Sequence, residues 1–169
     1  MTFDDRSETN IASLTPNTQA KARAFLTAIA ESKRMPDGWA VKIISGLRDY
    51  HAQQVLFDEG RKTPGKIVTN APPGYSNHNF GIAFDLGIFN DKGQYIDDLT
   101  DTGAITEKEV SFYYRQLVPL GKALGLEWGG DWVAIDDEPH WELNPWPELS
   151  ESAKLSKLRA MTANGEPIP

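Results

Sequence analysis

The sequence predicts an α+β protein in which helices flank a small, mainly antiparallel sheet. Apolar residues recur with a helical period in some segments and with the period of two of a strand in others. These helical and extended segments do not alternate as regular βαβ units, which argues against a parallel sheet. The length of 169 residues suits one domain with its own core. We expect a single domain over residues 1–169, with its core at about 14–146 and a helix and tail at 147–169.

The amino-terminal part predicts a helix, a strand and a second helix. Thr15 can cap the first helix and Pro16 suits its first turn. Apolar side chains then follow at helical spacing, namely Ala22, Phe25, Leu26 and Ile29. The segment "GWAVKIIS" (38–45) is typical of a strand. Asp49 can cap a second helix, which ends at Gly60.

The middle of the chain predicts a loop and then a well-defined strand. Residues 61–75 are rich in Gly and Pro, and within them "KIVT" (66–69) resembles a short strand. The segment "GIAFDLGIF" (81–89) alternates with a period of two. One face carries Ile82, Phe84, Leu86 and Ile88, and the other carries Ala83, Asp85 and Gly87. We expect the bulky apolar face to lie against the core, and "NDKGQ" (90–94) to form the turn that follows.

The next segments predict a long helix, a loop and a short strand. Thr106 and Glu109 form a capping box at the start of the helix. Pro119 should kink or split this helix, because it lacks an N–H group and its ring clashes with the preceding turn. "LEWGGDW" (126–132) is typical of a loop bent at its glycines, and "PHWEL" (139–143) of a short strand.

The chain after Trp146 predicts a last amphipathic helix at about 152–161. We place its basic residues Lys154, Lys157 and Arg159 on a solvated face. The final "NGEPIP" (164–169) is expected to be frayed.

Composition excludes several classes of function. Lys and Arg number 17 against 24 Asp and Glu, a net charge of −7, which argues against nucleic-acid binding and against attraction to anionic membranes. The absence of cysteine excludes disulfides, thiolate zinc sites and thiol nucleophiles. No segment reaches the roughly 18 apolar residues of a membrane span, and the acidic start "MTFDDRSETN" does not resemble a signal peptide.

Three side chains form a candidate metal site. Asp85 shares its strand face with small residues, and a half-buried carboxylate needs a partner or a metal. His78 precedes this strand on a turn that Gly81 can bend, so it can fold back over Asp85. His140 opens another strand-like segment. Two imidazoles and one carboxylate are a three-ligand set for zinc that leaves the fourth position open for water, as in catalytic zinc sites.

A nearby carboxylate would complete the chemistry by moving the proton of the water to the leaving amine. Asp136, Asp137 and Glu138 precede His140, and the residue pattern alone does not choose among them. The alternative interpretation is a core histidine beside a solvated acidic turn. The third histidine, His51, falls in the second helix without a comparable setting and is expected on the surface.

Two motifs in order carry a family resemblance. "SNHNFGIAFD" (76–85) matches S-x-H-x-x-G-x-A-x-D, and "DEPHWEL" (137–143) follows about fifty residues later. Together they resemble the VanY-like D-alanyl-D-alanine carboxypeptidase and L-alanyl-D-glutamate endopeptidase family of zinc metallopeptidases. Residues 44–61 and 124–132 resemble its endopeptidase branch, which includes phage endolysins, and the likeness covers about 40–146. The implied fold is that of the hedgehog and D-Ala-D-Ala peptidase zinc domains.

The resemblance implies a role for five side chains. His78, Asp85 and His140 would be the ligands of one Zn²⁺ per chain. The catalytic acid of the family lies three residues before the second histidine, which is Asp137 here. Arg48 matches an arginine near the metal that contacts substrate or stabilises the developing oxyanion.

Further residues have less defined roles in this comparison. Ser76 either hydrogen-bonds substrate or holds its loop, and Trp141 is assigned to substrate binding. Glu142 shares a strand face with His140, so it either orients that imidazole or forms a simple salt bridge. Asp131 is open to the same two interpretations.

The implied function is hydrolysis of a peptidoglycan stem-peptide amide bond, with L-alanyl-D-glutamate endopeptidase as the leading hypothesis. A D-alanyl-D-alanine carboxypeptidase or dipeptidase is the first alternative. A zinc-containing binding module without catalysis, of the kind that the hedgehog domain represents, is the second.

Partners and location follow from this hypothesis. We expect a monomer that acts on peptidoglycan and binds neither nucleic acid nor membrane. The expected place of action is the cell wall, in the periplasm or outside the cell, after cytoplasmic synthesis and holin-type or other non-classical release. The sequence does not separate a phage endolysin from a bacterial enzyme or a secreted effector.

Overall fold

The computed structural model describes residues 2–133 and 136–169. The helices are α1 (Asp5–Ala12), α2 (Pro16–Ser32), α3 (Tyr50–Asp58), α4 (Glu107–Ala123) and α5 (Glu151–Asn164). The strands are β1 (Ala40–Ser45), β2 (Ala83–Phe89), β3 (Leu126–Trp128) and β4 (His140–Leu143). Short 3₁₀ turns lie at Asn77–Phe80, Asp97–Leu99 and Gly129–Asp131. Within the described residues, no helix is long and apolar enough to cross a membrane.

The four strands form one sheet in the order β1-β2-β4-β3, and each of these neighbouring pairs is antiparallel. The predicted α+β class with a mainly antiparallel sheet is therefore confirmed. The register between β2 and β4 places Asp85 opposite His140. This pairing brings together two residues that are 55 positions apart in the sequence.

The core lies against the apolar face of β2, as the alternation predicts. Phe84, Leu86 and Ile88 are fully buried there. Helices α2 and α4 cover this face with further apolar side chains, including Phe25, Tyr114 and Leu117. Each large apolar side chain buried in this way stabilises the fold by roughly 1.5–3 kcal/mol. The opposite face of β2 is left to Asp85 and its small neighbours.

Two of the three predicted helix caps are present, whereas the side chain of Thr15, at the N-cap position of α2, makes no capping hydrogen bond. The side chain of Asp49 accepts a hydrogen bond from the backbone N–H of Ala52 at 2.7 Å, at the start of α3. Thr106 and Glu109 form the reciprocal capping box of α4. Each cap satisfies a backbone N–H group that has no partner inside its helix.

The structure contains two elements that the sequence did not predict. Helix α1 is short and carries one buried apolar residue, Ile11, so it lacks the run of apolar residues at helical spacing that marks the other predicted helices. It is held by polar contacts instead, since Asp4 caps it and the hydroxyl of Ser7 accepts a hydrogen bond from the backbone N–H of Ile43. Strand β3 occupies the first three residues of the predicted loop at 126–132. Its pairing with β4 decides this conformation, and tertiary pairing is invisible in a short segment.

Of two predicted local features, one is contradicted in part and the other is wrong. Helix α4 continues through Pro119 as one helix to Ala123, so the proline does not split it. Leu117 before the proline and Gly121 after it are both buried, so packing of the same face continues across this position. Residues 66–69, all within the described part of the chain, form no strand. Ile67 and Val68 are exposed there, so the apolar residues of "KIVT" do not contribute to the core.

The C-terminal part is more closely packed than predicted. Helix α5 confirms the predicted last helix, but Lys154 is 1% exposed and so does not lie on a solvated face. Ile168 packs against a small second cluster formed by Phe80, Ile82, Leu155 and Leu158, with Trp146 beside it. The hydroxyl of Thr15 also donates a hydrogen bond to the carbonyl of Pro169 at 3.2 Å. These contacts correct the expectation of a frayed end.

Candidate metal centre and catalytic cleft

Three different elements position the candidate metal ligands. His78 lies on the 3₁₀ turn that precedes β2, and Gly81 ends this turn in the left-handed conformation, with φ of +69°. A residue with a Cβ atom rarely adopts that conformation, which explains the glycine. Asp85 projects from the middle of β2, and His140 is the first residue of β4. The turn and the strand pairing thus bring the three side chains together.

The three ligand atoms converge on one point. Nε2 of His78 lies 3.2 Å from Oδ1 of Asp85 and 3.2 Å from Nδ1 of His140. Nδ1 of His140 lies 3.3 Å from the same Asp85 oxygen. Within the described residues these side chains form a group able to hold a metal ion.

The hydrogen bonds on the far side of each imidazole identify the atoms that face inward. Nδ1 of His78 lies 2.8 Å from the carbonyl oxygen of Gly46, which can only accept, so Nδ1 carries the hydrogen and Nε2 a lone pair. Nε2 of His140 lies 2.9 Å from a carboxylate oxygen of Glu142, so Nδ1 is the atom with the lone pair. Two nitrogen lone pairs and one carboxylate oxygen therefore meet. Such a set fits a divalent cation, and its donors are the nitrogen and oxygen ligands of zinc sites.

The pKa shifts of Asp85 and His140 also indicate that this centre suits a bound cation. Burial alone would raise the pKa of Asp85, but the neighbouring imidazoles of His78 and His140 hold it well below its ordinary value. Burial alone would lower the pKa of His140, but its hydrogen bonds to Asp85 and Glu142 raise it to about 10. The centre thus favours a positive charge between the two carboxylates. In the metal-free protein a proton on the inward-facing Nδ1 of His140 meets that need, and a metal ion would take the place of that proton.

Glu142 lies behind His140 and uses both of its carboxylate oxygens. One oxygen accepts from His140 and from the side-chain amide of Asn77 at 2.8 Å. The other accepts from the ammonium group of Lys154 at 2.7 Å. Burial alone would raise the pKa of Glu142, but His140 and Lys154 lower it to about 2. Glu142 therefore fulfils both predicted roles, as a contact of His140 and as a salt-bridge partner.

The ligand cluster opens into a cleft of about 880 Å³. Arg48, Ser76, Trp132 and Asp137 line this cleft together with the three candidate ligands. Apolar and polar residues of the 68–75 loop, including Val68 and Tyr75, form a further part of its wall. The space next to the ligands is therefore accessible from solvent and large enough for a peptide segment.

The three acids before His140 occupy different environments. Asp136 is exposed and lies 3.9 Å from Arg115. Glu138 accepts a hydrogen bond from the hydroxyl of Ser111 at 2.6 Å and pairs with Arg115 at 3.1 Å, outside the cleft. All three acids lie within the described residues, and Asp137 is the one that lines the cleft. Burial and the nearby charge of Asp85 raise the pKa of Asp137 above its ordinary value.

Gly129 is a residue whose role sequence reasoning missed. An added Cβ atom at this position would lie 2.5 Å from the carbonyl oxygen of Asp137 and 2.8 Å from Cβ of His140. The absence of a side chain thus allows the 129–131 turn to pack directly on the segment between Asp137 and His140. Its neighbour in sequence, Trp128, also holds this segment by donating a hydrogen bond to the carbonyl of Glu138 at 2.8 Å.

Arg48 lies beside the ligand cluster and is held by two neighbours. Its guanidinium group donates to Gln53 at 3.1 Å and to the hydroxyl of Ser45 at 3.3 Å. It lies 3.8 Å from Oδ2 of Asp85, whose other carboxylate oxygen, Oδ1, contacts the two histidines. The side chain is about one-fifth exposed and lines the cleft, so a fixed cation faces the space beside the metal centre.

The remaining predicted site residues divide between cleft and core. Ser76 lines the cleft, and its carbonyl accepts a hydrogen bond from Asn79 that closes the 3₁₀ turn. Trp141 is fully buried and packs edge-on against Phe25, which corrects its assignment to substrate binding. The side chain faces the core because residues alternate along β4 and its neighbour His140 faces the cleft. The exposed tryptophan in the cleft is Trp132, with its ring centroid 4.7 Å from that of His140.

Two further predictions concern residues near this region. Asp131 pairs with Lys122 at 2.6 Å on the surface, which supports the salt-bridge interpretation. His51 is exposed on α3, as expected.

Sequence comparisons identify relatives of this chain. The sequence model of a D-alanyl-D-alanine carboxypeptidase family matches residues 69–143, which include all three candidate ligands. The chain is 38% identical over 108 residues to the peptidoglycan L-alanyl-D-glutamate endopeptidase CwlK of Bacillus subtilis. This alignment covers 64% of the chain and 63% of the relative. An L-alanyl-D-glutamate peptidase of a Listeria phage is 28% identical over 147 residues, covering 84% of the chain and 42% of the relative.

Comparison with solved structures supports the fold. The Serratia marcescens L-Ala D-Glu endopeptidase ChiX matches with a TM-score of 0.55 at 22% identity, over 84% of this chain and 89% of that one. The LD-carboxypeptidase LdcB matches with a TM-score of 0.50 at 18% identity, over 90% of this chain and 72% of that one. Residues 69–143 of the chain are thus similar to the D-alanyl-D-alanine carboxypeptidase family, and the fold resembles that of the two solved structures.

Proposed function

We propose that this protein is a zinc-dependent peptidase that hydrolyses an amide bond in the stem peptide of peptidoglycan. The L-alanyl–D-glutamate bond is the proposed site of cleavage, because relatives in a bacterium and a phage carry that activity in their names. The observation that carries the proposal is the convergence of His78, Asp85 and His140, with their lone pairs facing one point, beside an open cleft.

The candidate ligands would hold one zinc ion through Nε2 of His78, a carboxylate oxygen of Asp85 and Nδ1 of His140. When bound there, zinc would supply a Lewis acid that lowers the pKa of a water to roughly 7 and polarises the scissile carbonyl.

Asp137 is the proposed general base. Its carboxylate would accept a proton from the attacking water and pass it to the nitrogen of the leaving amine. Because burial and Asp85 raise the pKa of Asp137, the carboxylate is a stronger base than an ordinary aspartate. Its position in the wall of the cleft supports this role over Asp136 and Glu138, which face Arg115.

Arg48 is the proposed electrostatic stabiliser. Negative charge builds on the carbonyl oxygen of the substrate as water attacks, and a fixed cation stabilises that charge. Gln53 and Ser45 already hold the guanidinium group at the side of the cleft, so little reorganisation would be needed during the reaction. Ser76 and Trp132 would contact the substrate on the cleft walls.

A D-alanyl-D-alanine carboxypeptidase is the second candidate, and the name of the matching family favours it. Both reactions would use the same three ligands and the same base. They differ in the bond that is placed beside the metal, and therefore in the product released.

Mass spectrometry of products from purified peptidoglycan tests the proposal. Zinc-loaded protein is expected to release stem peptides that begin at D-Glu and to leave L-Ala on the glycan, and a chelator is expected to stop this release. Release of free D-Ala alone would establish the carboxypeptidase instead. A protein that holds zinc but releases neither product would overturn the proposal and favour a binding module.

We further propose one zinc ion per chain, a monomer, and action in the cell wall after holin-type or other non-classical release from the cytoplasm. The peptidoglycan substrate in the name of the Bacillus subtilis relative supports action in the cell wall. Equilibrium sedimentation of zinc-loaded protein and fractionation of producing cells would test these points.

A further inference from the structure

Lys154 is a buried cation that the proposed chemistry does not use. It lies on α5, outside the segment that the family sequence model matches, and it is 1% exposed. Lysine is almost never fully buried unless it is paired. Here its ammonium group donates to Glu142 at 2.7 Å and to the half-exposed carboxylate of Glu151 at 2.7 Å.

A continuous chain of hydrogen bonds links Lys154 to the metal centre. Glu142, the partner of the ammonium group, is itself 2% exposed. Its other oxygen accepts the Nε2 hydrogen of His140 at 2.9 Å. Asn77 donates to that same oxygen at 2.8 Å and to Glu151 at 3.0 Å, which ties the first turn of α5 to the turn that carries His78. The carboxylate of Glu142 is therefore fixed from both sides.

We propose that Lys154 is a positioning residue for the metal centre. It holds the Glu142 carboxylate in the orientation that accepts from Nε2 of His140, and so keeps the Nδ1 lone pair of His140 directed at the metal. This inference rests on the zinc site of the proposed function. It makes α5 part of that site, although no residue of the helix is a ligand.

The sign of the effect separates positioning from simple charge repulsion. A nearby ammonium group repels a metal cation, so on Coulomb's law alone its removal would tighten zinc binding. Positioning predicts the opposite. Without Lys154 the buried Glu142 carboxylate would lose its cationic partner, an unfavourable state that turning toward solvent would relieve. His140 would then lose the acceptor that fixes its ring.

The test compares zinc affinities measured by competition with a chromophoric chelator at fixed pH. Lys154→Met is expected to weaken zinc binding by about tenfold, the lower end of the effect of changing a group behind a metal ligand. Lys154→Arg, which keeps the charge, is expected to restore part of this loss. Lys157→Met is the matched control, because Lys157 lies on the same helix but is exposed and contacts the ring of Trp146. Its zinc affinity should equal that of the unchanged protein.

A double variant tests whether Lys154 acts through Glu142. If it does, Lys154→Met should weaken zinc binding much less when Glu142→Gln is already present, so the two effects will not add. Full additivity, or unchanged or tighter zinc binding in Lys154→Met, would overturn the proposal. Where Lys154→Met does not fold by circular dichroism, Lys154→Gln keeps a polar end and takes its place with the same criteria.

Nuclear magnetic resonance of the imidazole nitrogens gives a readout beyond affinity. The chain has three histidines, so the signals can be assigned with single variants. In the zinc-loaded protein we expect the Nε2–H signal of His140 to be protected from exchange, and Lys154→Met to remove that protection. An unchanged signal would contradict the proposal. Protein that binds zinc but cleaves no peptidoglycan would refute the proposed function alone, whereas protein that binds no zinc would refute both.

Discussion

The two sides of the candidate metal centre differ in burial and in the freedom of their side chains. On the inner side, the carbonyl of Gly46 and the carboxylate of Glu142 fix the two imidazoles, and Lys154 in turn fixes Glu142. On the cleft side, Arg48 and Asp137 are partly exposed and lie beside open space. The two sides of the centre therefore have different roles. The buried side sets ligand geometry, and the cleft side is available to a substrate.

The largest effect is expected from removing a metal ligand, because metal binding on the buried side and activity on the cleft side would both be lost. His78→Ala or His140→Ala should abolish metal binding and peptide release together, because two remaining protein ligands are too few for a stable zinc site. Metal content after gel filtration and peptidoglycan digestion measure the two properties. His51→Ala, at the exposed histidine of α3, should keep both. Zinc retained at full occupancy in either ligand variant would refute the assignment.

A change confined to the cleft side should lower turnover without changing zinc binding. Asp137→Ala is expected to keep zinc and to lower turnover by roughly 10²-fold or more, because the proton acceptor is lost. Asp136→Ala removes the adjacent exposed acid and should leave turnover unchanged, since its side chain lies near Arg115. Undiminished turnover in Asp137→Ala would transfer the role of base to Glu138 or Asp136.

A conservative change of the cleft cation should have a smaller effect. Arg48→Lys keeps one positive charge but loses the planar group that Gln53 and Ser45 hold. Turnover should fall by about tenfold with zinc affinity unchanged, since only stabilisation of the oxyanion is weakened. Steady-state kinetics on a stem-peptide substrate, with zinc content measured on the same samples, provide the comparison. A loss of zinc content that accounts for the fall in turnover would mean that Arg48 holds the metal ligands in place and does not stabilise the oxyanion.

The dependence of zinc binding on pH sharpens the description of the buried side. In the metal-free protein the pKa of His140 is raised to about 10, so a proton occupies the centre at neutral pH. Zinc must displace that proton, and apparent affinity should therefore rise with pH by about tenfold per unit below pH 10. Competition titrations at several values between about pH 6 and pH 8 would show this slope. A flat profile would mean that His140 is already neutral before zinc binds.

The sequence predicted much of the centre because its ligands fall in two compact motifs. The alternation along 81–89 separated the apolar face from Asp85, and the Gly81 turn gave His78 a route back to it. The residue pattern could not choose Asp137 from its neighbours, since the choice depends on the direction of each side chain in an irregular segment. The family resemblance supplied that choice, and the cleft lining supports it.

The contacts behind the ligands were beyond prediction for a different reason. Gly46 is 32 residues from His78, and its contribution is a backbone carbonyl, which has no signature in a sequence. Lys154 occurs in a segment with charged residues spread around the helix, so nothing marks it as buried. Trp141 was misplaced because tryptophan suits both clefts and cores, and only the strand register decides between them.

X-ray absorption at the zinc edge, on protein with one equivalent of zinc, tests the central claim most directly. The expected spectrum shows two imidazole nitrogens at about 2.0–2.1 Å together with oxygen ligands, whereas His78→Ala should retain no protein-bound zinc. A zinc ion with one imidazole or none in the unchanged protein would contradict the assignment of His78, Asp85 and His140 as the metal centre.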